Sequence, residues 1–311
     1  GPAPVITLPP EGVGLSQGNP EGVAFDRRTG MVFVSRTATG AIQAGVFAGP
    51  STALDTFAAG GSPRADSRPQ AAGLKVREGR LYVAGGASGL VTVYDIATRS
   101  LLATFNVGPA VVPPALPFVN DLVVTEDGDV YATDSFRPYI YRIDGRAVAA
   151  GGGDGAVQAI PVGDKIEYVP GQFNLNGIVE DDGDLIVVQS NKGKLFRVTP
   201  AADAPLAEEI TEIVVRGGPL TRGDGLLLDR GRLLVVQGGT TDFPNGVVTV
   251  VKLRESRARG AVERRIADAS LAGPSTIARA RDNYLVVNAN FENPSPYTVS
   301  LLPRGRGADD D

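Results

Sequence analysis

The chain has 311 residues, 42% of them apolar, with 40 Gly, 23 Pro and a formal net charge of −5. That size and apolar content suffice for a sizeable core, and an acidic balance offers no basic field for a phosphate backbone, which argues against nucleic acid as a partner. There is no Cys, His or Trp, so disulfides, thiolate or imidazole catalysis and Cys- or His-ligated metals are excluded; the chemistry is left to carboxylate, amide, hydroxyl, Tyr, Lys and Arg, and a metal must be oxygen-ligated.

Residues 1–20 are Pro/Gly-rich around one β-prone island, Val5-Ile6-Thr7-Leu8. A unit of polar opener, apolar strand, tight turn and second apolar strand then recurs along the chain. It opens at Glu21, Ala72, Asn120, Asn176, Asp224 and Ser275, at spacings of 51, 48, 56, 48 and 51 residues. The clearest copy runs from Asn120 to Asp134, with the turn Asp127-Gly128 joining its two strands; Asp-Gly between alternating apolar runs predicts a hairpin. Further β-prone runs follow the hairpins, such as Ile140–Ile143, Lys194–Val198, Ile210–Val215 and Val247–Val251. A period near 50 with paired strands in every copy predicts an all-β fold, a six-bladed β-propeller with four strands per blade. Only three strands are found in the last copy, so the island at Val5–Leu8 is expected to supply the fourth and close the ring, leaving no open sheet edge. The propeller is expected to span residues 1–303 as one domain, with 304–311 a disordered tail. Two separate domains are the weaker alternative, because no linker interrupts the period.

No apolar run approaches the length of a membrane span. No signal peptide is visible, and Gly1-Pro2 reads as a processing scar. A secreted protein with its signal removed and a cytoplasmic one both fit, and the reading favours a monomer acting on a small molecule.

In a propeller the innermost strands line a central channel, so the six openers should ring one mouth. Glu21, Asn120, Asn176 and Asp224 bring two carboxylates and two amides to that ring, a hard oxygen set suited to Ca²⁺. Asn, Asp and Glu before Gly are also ordinary turn residues; the shared register is what favours convergence. The second strands should end at the same mouth with Asp134, Gln189, Gln237 and Asn288, and Phe118, Phe173 and Tyr168 lie near it in sequence. These seven are expected to line a substrate pocket, with cap or core roles as the alternative. Arg64 and Arg68 in the long loop of the first repeat are candidate substrate contacts, with a solvated surface role as the favoured alternative.

Four short motifs carry a resemblance: Asn19-Pro20-Glu21-Gly22, Val119-Asn120-Asp121, Asn174-Leu175-Asn176-Gly177-Ile178 and Gly223-Asp224-Gly225-Leu226, with Pro274-Ser275-Thr276 in the last copy. In this order and spacing the chain resembles the regucalcin and gluconolactonase family of six-bladed calcium propellers, which is similar to diisopropyl fluorophosphatase and the paraoxonases. The resemblance implies one catalytic Ca²⁺ held by Glu21, Asn120, Asn176 and Asp224, with room for a second, structural ion. Two departures bear on the substrate. Aldonolactonases of the family carry an Arg two residues before the third opener, where this chain has Phe118; the phosphotriesterase- and paraoxonase-like relatives use a histidine, and none exists here. A fairly apolar substrate follows. The leading expectation is a calcium-dependent lactone or ester hydrolase with Asp224 assisting the attacking water and Asp121 as a second candidate base. The alternatives are a calcium-dependent cyclisation or rearrangement of an apolar biosynthetic intermediate, and a binding scaffold.

Overall fold

The computed structural model describes residues 1–10, 18–60, 70–111, 116–254, 258–291 and 296–305. Arg64 and Arg68, and residues 306–311 of the expected tail, lie outside them. Among the described residues helical structure is confined to three short 3-10 turns; the rest is β-strand and loop, as the Val/Ile/Leu-rich runs and frequent Gly turns predict. No described helix is long and apolar enough to cross a membrane.

The strands follow the repeat. After β1 (Val5–Thr7) come β2 (Pro20–Asp26), β3 (Met31–Arg36), β4 (Ile42–Val46) and β5 (Asp55–Ala58) in one sheet. The strands β6 (Leu74–Arg77), β7 (Arg80–Ala84), β8 (Leu90–Asp95) and β9 (Leu101–Asn106) form the next. A third holds β10 (Val119–Val124), β11 (Val130–Asp134), β12 (Tyr139–Ile143) and β13 (Val157–Pro161). Two further antiparallel meanders are β14 (Leu175–Asp181), β15 (Asp184–Gln189), β16 (Lys194–Pro200) and β17 (Ala207–Arg216), then β18 (Gly223–Asp229), β19 (Arg232–Gln237), β20 (Val247–Leu253) and β21 (Arg259–Ile266). The chain ends in β22 (Pro274–Ala280), β23 (Asn283–Asn288) and β24 (Thr298–Pro303).

The first strand behaves as expected: β1 pairs antiparallel with β24, Val5 opposite Ser300, as the outermost strand of the last sheet. The separation into equal four-stranded sheets differs in one place. The fourth and fifth meanders join into a single eight-stranded sheet, because the long β17 overruns its partner and its end, Val214–Arg216, pairs parallel with Arg259–Ala261 of β21. Two outer edges that would otherwise expose open hydrogen-bonding groups thereby satisfy each other. The innermost strands touch in cyclic order, β2 to β6, β10, β14, β18 and β22, and β22 returns to β2. The arrangement is propeller-like.

Packing explains why the strand runs are continuously apolar rather than alternating. Each inner hairpin is covered on both faces by neighbouring sheets. In β15, Leu185 and Val187 pack with Tyr131 and Ile140 of the third sheet, whereas Ile186 and Val188 pack with Leu226 and Val235 of the fifth meander. The same division recurs where β3 meets the last sheet through Val32, Val34, Leu285 and Val299.

One residue of the expected tail belongs to the body. Arg304 is buried, and its Nε and Nη2 donate to Asp229 at 2.7 and 2.9 Å. Asp229 ends β18, and it also accepts from the Tyr284 hydroxyl of β23 at 2.6 Å. The chain end is thus latched across two neighbouring sheets by a buried ion pair, which places Arg304 in the folded body.

Candidate functional site

Five of the six innermost strands shift register at their first residues. The shifts fall between Pro20 and Val23, Val119 and Leu122, Leu175 and Ile178, Gly223 and Leu226, and Pro274 and Thr276. A bulge of this kind breaks the two-residue alternation and re-aims a side chain. Here it turns the opener away from the sheet faces while the residues beyond it remain in the core.

The residue after the opener is where neighbouring strands crowd. A Cβ on Gly22 would lie 2.2 Å from the Ala72 carbonyl oxygen, and one on Gly177 2.2 Å from that of Asp224. At Gly73 and Gly225 the vacated space is filled from the next strand by the Asp121 carboxylate and by Thr276. Gly177→Ala should therefore force apart β14 and β18 at the Asp224 backbone. We expect a loss of about 1–3 kcal/mol, read by denaturant unfolding, together with weakened cation binding; an unchanged midpoint would contradict this packing.

Hydroxyls tie the openers to their neighbours. Ser135 Oγ donates to the Leu175 carbonyl at 2.6 Å and accepts from Asn120 Nδ2 at 2.9 Å. Ser190 Oγ donates to the Gly223 carbonyl and accepts from Asn176 Nδ2 at 3.0 Å. Ser35 Oγ bonds the Ala72 carbonyl at 2.6 Å, and Ser275 Oγ bonds that of Glu21 at 2.7 Å. Because each serine proton is committed to a carbonyl, the serine oxygen can only accept from the amide. Both asparagines are therefore held with Oδ1 as the remaining acceptor. Sequence reasoning missed Ser35, Ser135 and Ser190, although Ser directly after Asp134 and Gln189 in successive copies was a visible signal.

Glu21, Asn120, Asn176 and Asp224 all line one cavity of about 860 Å³. Glu21, Asn120 and Asn176 are buried, and Glu21 Oε2 and Asn176 Oδ1 have no hydrogen-bond partner. Burial, then the charges of Asp224 and Asp121, push the Glu21 carboxyl well above its usual range, with Lys75 opposing. Burial and then the Asp121 charge raise Asp224 in the same way, against a hydrogen bond from Asn176 and the charge of Arg222. Lys75 and Arg222 offset only part of the cost of holding these like charges together away from water, and orphaned acceptors beside them add to that cost. Among the described residues no group of three or more carboxylates forms a metal cluster; the four openers lining the cavity bring two carboxylates and two amides. That set of hard, partly orphaned oxygens fits Ca²⁺.

Asp121 is not in the cavity wall. It is buried, accepts from the Leu122 amide at 2.8 Å, and lies 3.5 Å from Lys75 Nζ, wedged against Gly73. It brackets the second and third sheets rather than lining the cavity, while its charge still bears on Glu21 and Asp224.

The pocket expectation divides. Phe118 and Phe173 line the cavity, and with Phe136 they form a ring cluster at centroid distances of 5.0–5.5 Å. Phe136 was not foreseen, and Phe291 adds a second exposed aromatic wall. Tyr168, Asp134, Gln189, Gln237 and Asn288 are instead engaged in holding loops. The Tyr168 hydroxyl donates to the Asp134 carbonyl at 2.6 Å. Asp134 accepts from the amides of Phe118, Phe136 and Arg137 and from Tyr141. Gln189 and Gln237 donate to the Glu167 and Thr221 carbonyls, both at 2.8 Å, and Asn288 bonds Ser270, Thr298, Ser300 and the Ala272 amide. Buried polar ends of strands find partners nearby, and these five act as fasteners for the loops that shape the mouth.

No protein-family model and no curated protein matches the sequence. Solved structures do. Mala s 1, the major allergen of Malassezia sympodialis, is 14% identical over 94% of this chain and 96% of its own, with a TM-score of 0.68. Regucalcin from Agrobacterium tumefaciens, a calcium-binding protein, is 16% identical over 94% and 92%, with a TM-score of 0.62. The gluconolactonase XC5397 from Xanthomonas campestris is 15% identical over 97% and 98%, with a TM-score of 0.61. At such identities the likeness is one of fold, and the resemblance carried by the openers is met at that level: the chain has the fold of the regucalcin- and gluconolactonase-like β-propellers.

Proposed function

We propose that the chain is a single six-bladed propeller domain that acts, as a monomer, as a calcium-dependent hydrolase of a small, fairly apolar lactone or ester. The blade count is supported by the cyclic contact of β2, β6, β10, β14, β18 and β22 and by the four-strand meander attached to each. The observation that carries the function is the gathering of Glu21, Asn120, Asn176 and Asp224 in one cavity, with Glu21 Oε2 and Asn176 Oδ1 buried and unpartnered.

These four side chains would hold the cation, which when bound supplies polarisation of an ester carbonyl and offsets negative charge on its oxygen. The serine-anchored amides of Asn120 and Asn176 keep their acceptors fixed, so little reorganisation is needed on binding. On this reading Asp224, raised in pKa by its surroundings, takes the proton from an attacking water. The rings of Phe118 and Phe173, with Phe136 packed against both, bind the apolar body of the substrate and keep water from one side of the site.

Calorimetric titration of Ca²⁺ into chelator-treated protein tests the reading. One ion should bind and the melting temperature should rise with its concentration. Glu21→Gln should weaken binding by at least roughly 10–100-fold, the range found even for residues that merely support a ligand; unchanged affinity would remove Glu21 from the site. The phenyl wall, where relatives that act on sugar lactones carry an Arg, also favours a second reading, a calcium-dependent cyclisation or rearrangement of an apolar intermediate. Tight calcium binding without turnover of any lactone or ester in a panel would select it.

A further inference from the structure

Two exposed rings overlook the cavity from different sheets. Phe173 is 47% exposed and Phe291 is 60% exposed, and both line the cavity that the four openers share. Phe173 stands two residues before β14 and packs against Phe118, which directly precedes β10, and against Phe136. Phe291 stands three residues beyond the end of β23 in the last sheet. Among the described residues no ring contact joins it to that cluster. In the cyclic order of the innermost strands β10 packs on β6 and β14, whereas β22 packs on β18 and β2. The phenyl cluster and Phe291 therefore flank the central opening from different sides, with the openers ringed between them.

Both rings are carried on fastened backbone. Asn174, next to Phe173, is fully buried, and its amide and Nδ2 donate to the Ser135 carbonyl at 3.0 and 3.1 Å. Asn290, next to Phe291, donates its amide to the Gly273 carbonyl at 3.1 Å, and its own carbonyl accepts from the buried Asn19 at 3.2 Å. Asn290 adopts a left-handed backbone, φ 48°, which asparagine tolerates. The cavity of about 860 Å³ lies in the range of about 300–1,000 Å³ that encloses a whole drug-sized ligand, far more than one phenyl-sized group fills.

We propose that the ligand has two apolar arms, one on each side of the polar group that meets the openers: one arm seats on Phe118 and Phe173, the other on Phe291. The proposal deepens and rests on the reading of the cavity as the site of an apolar ester or lactone, and it gives the carbonyl of that compound an apolar substituent on both sides.

The test uses two ketones, which present a carbonyl but cannot be hydrolysed: dibenzyl ketone, with two arms, and benzyl methyl ketone, with one. Their binding is measured by calorimetry with calcium saturating, on the unsubstituted protein, Phe173→Ala and Phe291→Ala, with melting temperature and calcium affinity recorded alongside. The unsubstituted protein should bind the two-armed ketone about tenfold or more tighter, the effect of taking a second phenyl group out of water. Each substitution should weaken the two-armed ketone by about threefold or more, and the one-armed ketone should respond to one of them at most. Equal affinity for the two ketones, no binding of either, or a one-armed ketone weakened by both substitutions, as in a single clamp around one group, overturns the proposal. Calcium-dependent turnover of benzyl phenylacetate is followed separately; its absence counts against the hydrolase reading and leaves the ketone comparison intact.

Discussion

Asp224→Asn is expected to remove calcium-dependent turnover, by roughly 100-fold or more in kcat/KM, while leaving the fold intact. The amide is close to isosteric with the carboxylate, so packing at the bulge is kept; what is lost is one of two charges for the cation and the group that takes the proton from water. The stability of this variant should report the same physics with a change of sign. Without calcium, the buried Glu21 and the half-buried Asp224 repel each other and Asp121, so replacing one charge relieves repulsion, and Asp224→Asn should melt above the unsubstituted protein at neutral pH. With calcium at about one hundred times its dissociation constant, the unsubstituted protein gains about 2.7 kcal/mol and the order should reverse. Thermal melts of both proteins in chelator and in calcium read this crossing. Parallel curves, or turnover that survives the substitution, would reject Asp224 as ligand and base.

The second large effect is expected far from the mouth. Asp229→Asn should cost about 3–5 kcal/mol, because it leaves the Arg304 guanidinium buried without this carboxylate, whereas Arg304→Ala should cost less, because Arg230 and Arg279 remain 3.6 Å from Asp229. The Tyr284 hydroxyl would lose its charged acceptor in Asp229→Asn. Burial alone would raise the Asp229 carboxyl, but hydrogen bonds from Arg304 and Tyr284 and the Arg304 charge outweigh it and hold the group below the usual range. A carboxyl lowered in the folded state stabilises fully above its unfolded value, about 3.9, and the stabilisation fades as pH falls through the folded value. The stability gap between the unsubstituted protein and Asp229→Asn should therefore be wide at pH 7 and close progressively below about pH 4. Denaturant unfolding at several pH values measures it, and a gap independent of pH would show that the ion pair is not its source. Because Arg304 follows β24 directly, loss of the latch should also expose the end of β24 to proteolysis before the rest of the protein unfolds.

The repeat was legible because a hairpin is a local object. Asp127-Gly128 and Asp182-Gly183 mark turns whatever surrounds them, and two residues after Asn120 or Asn176 an apolar run must begin if the strand is to be buried. The four cavity oxygens could be named for the same reason: they share one register position. Fine roles were harder to read. Asp134, Gln189, Gln237 and Asn288 also share a register position, yet their side chains turn to loop amides, carbonyls and hydroxyls. Sequence supplies the place on the strand and not the partner, and buried polar groups settle on whichever donor or acceptor the incoming loops provide.

Composition and periodicity, with no help from coordinates, established that this is an all-β chain of repeated hairpins, that any metal must be held by oxygen, and that Glu21, Asn120, Asn176 and Asp224 are equivalent points of the repeat. These follow from residue chemistry and from contacts a few residues apart. Only the tertiary structure decided that Asp121 faces Gly73 rather than the cavity, that Arg304 belongs to the core, that β17 and β21 fuse two sheets, and that Phe291 lines the same cavity as Phe173 from a different sheet. Each of those depends on which distant segment fills a space, and that choice is made by packing across neighbouring sheets, which a one-dimensional pattern does not encode.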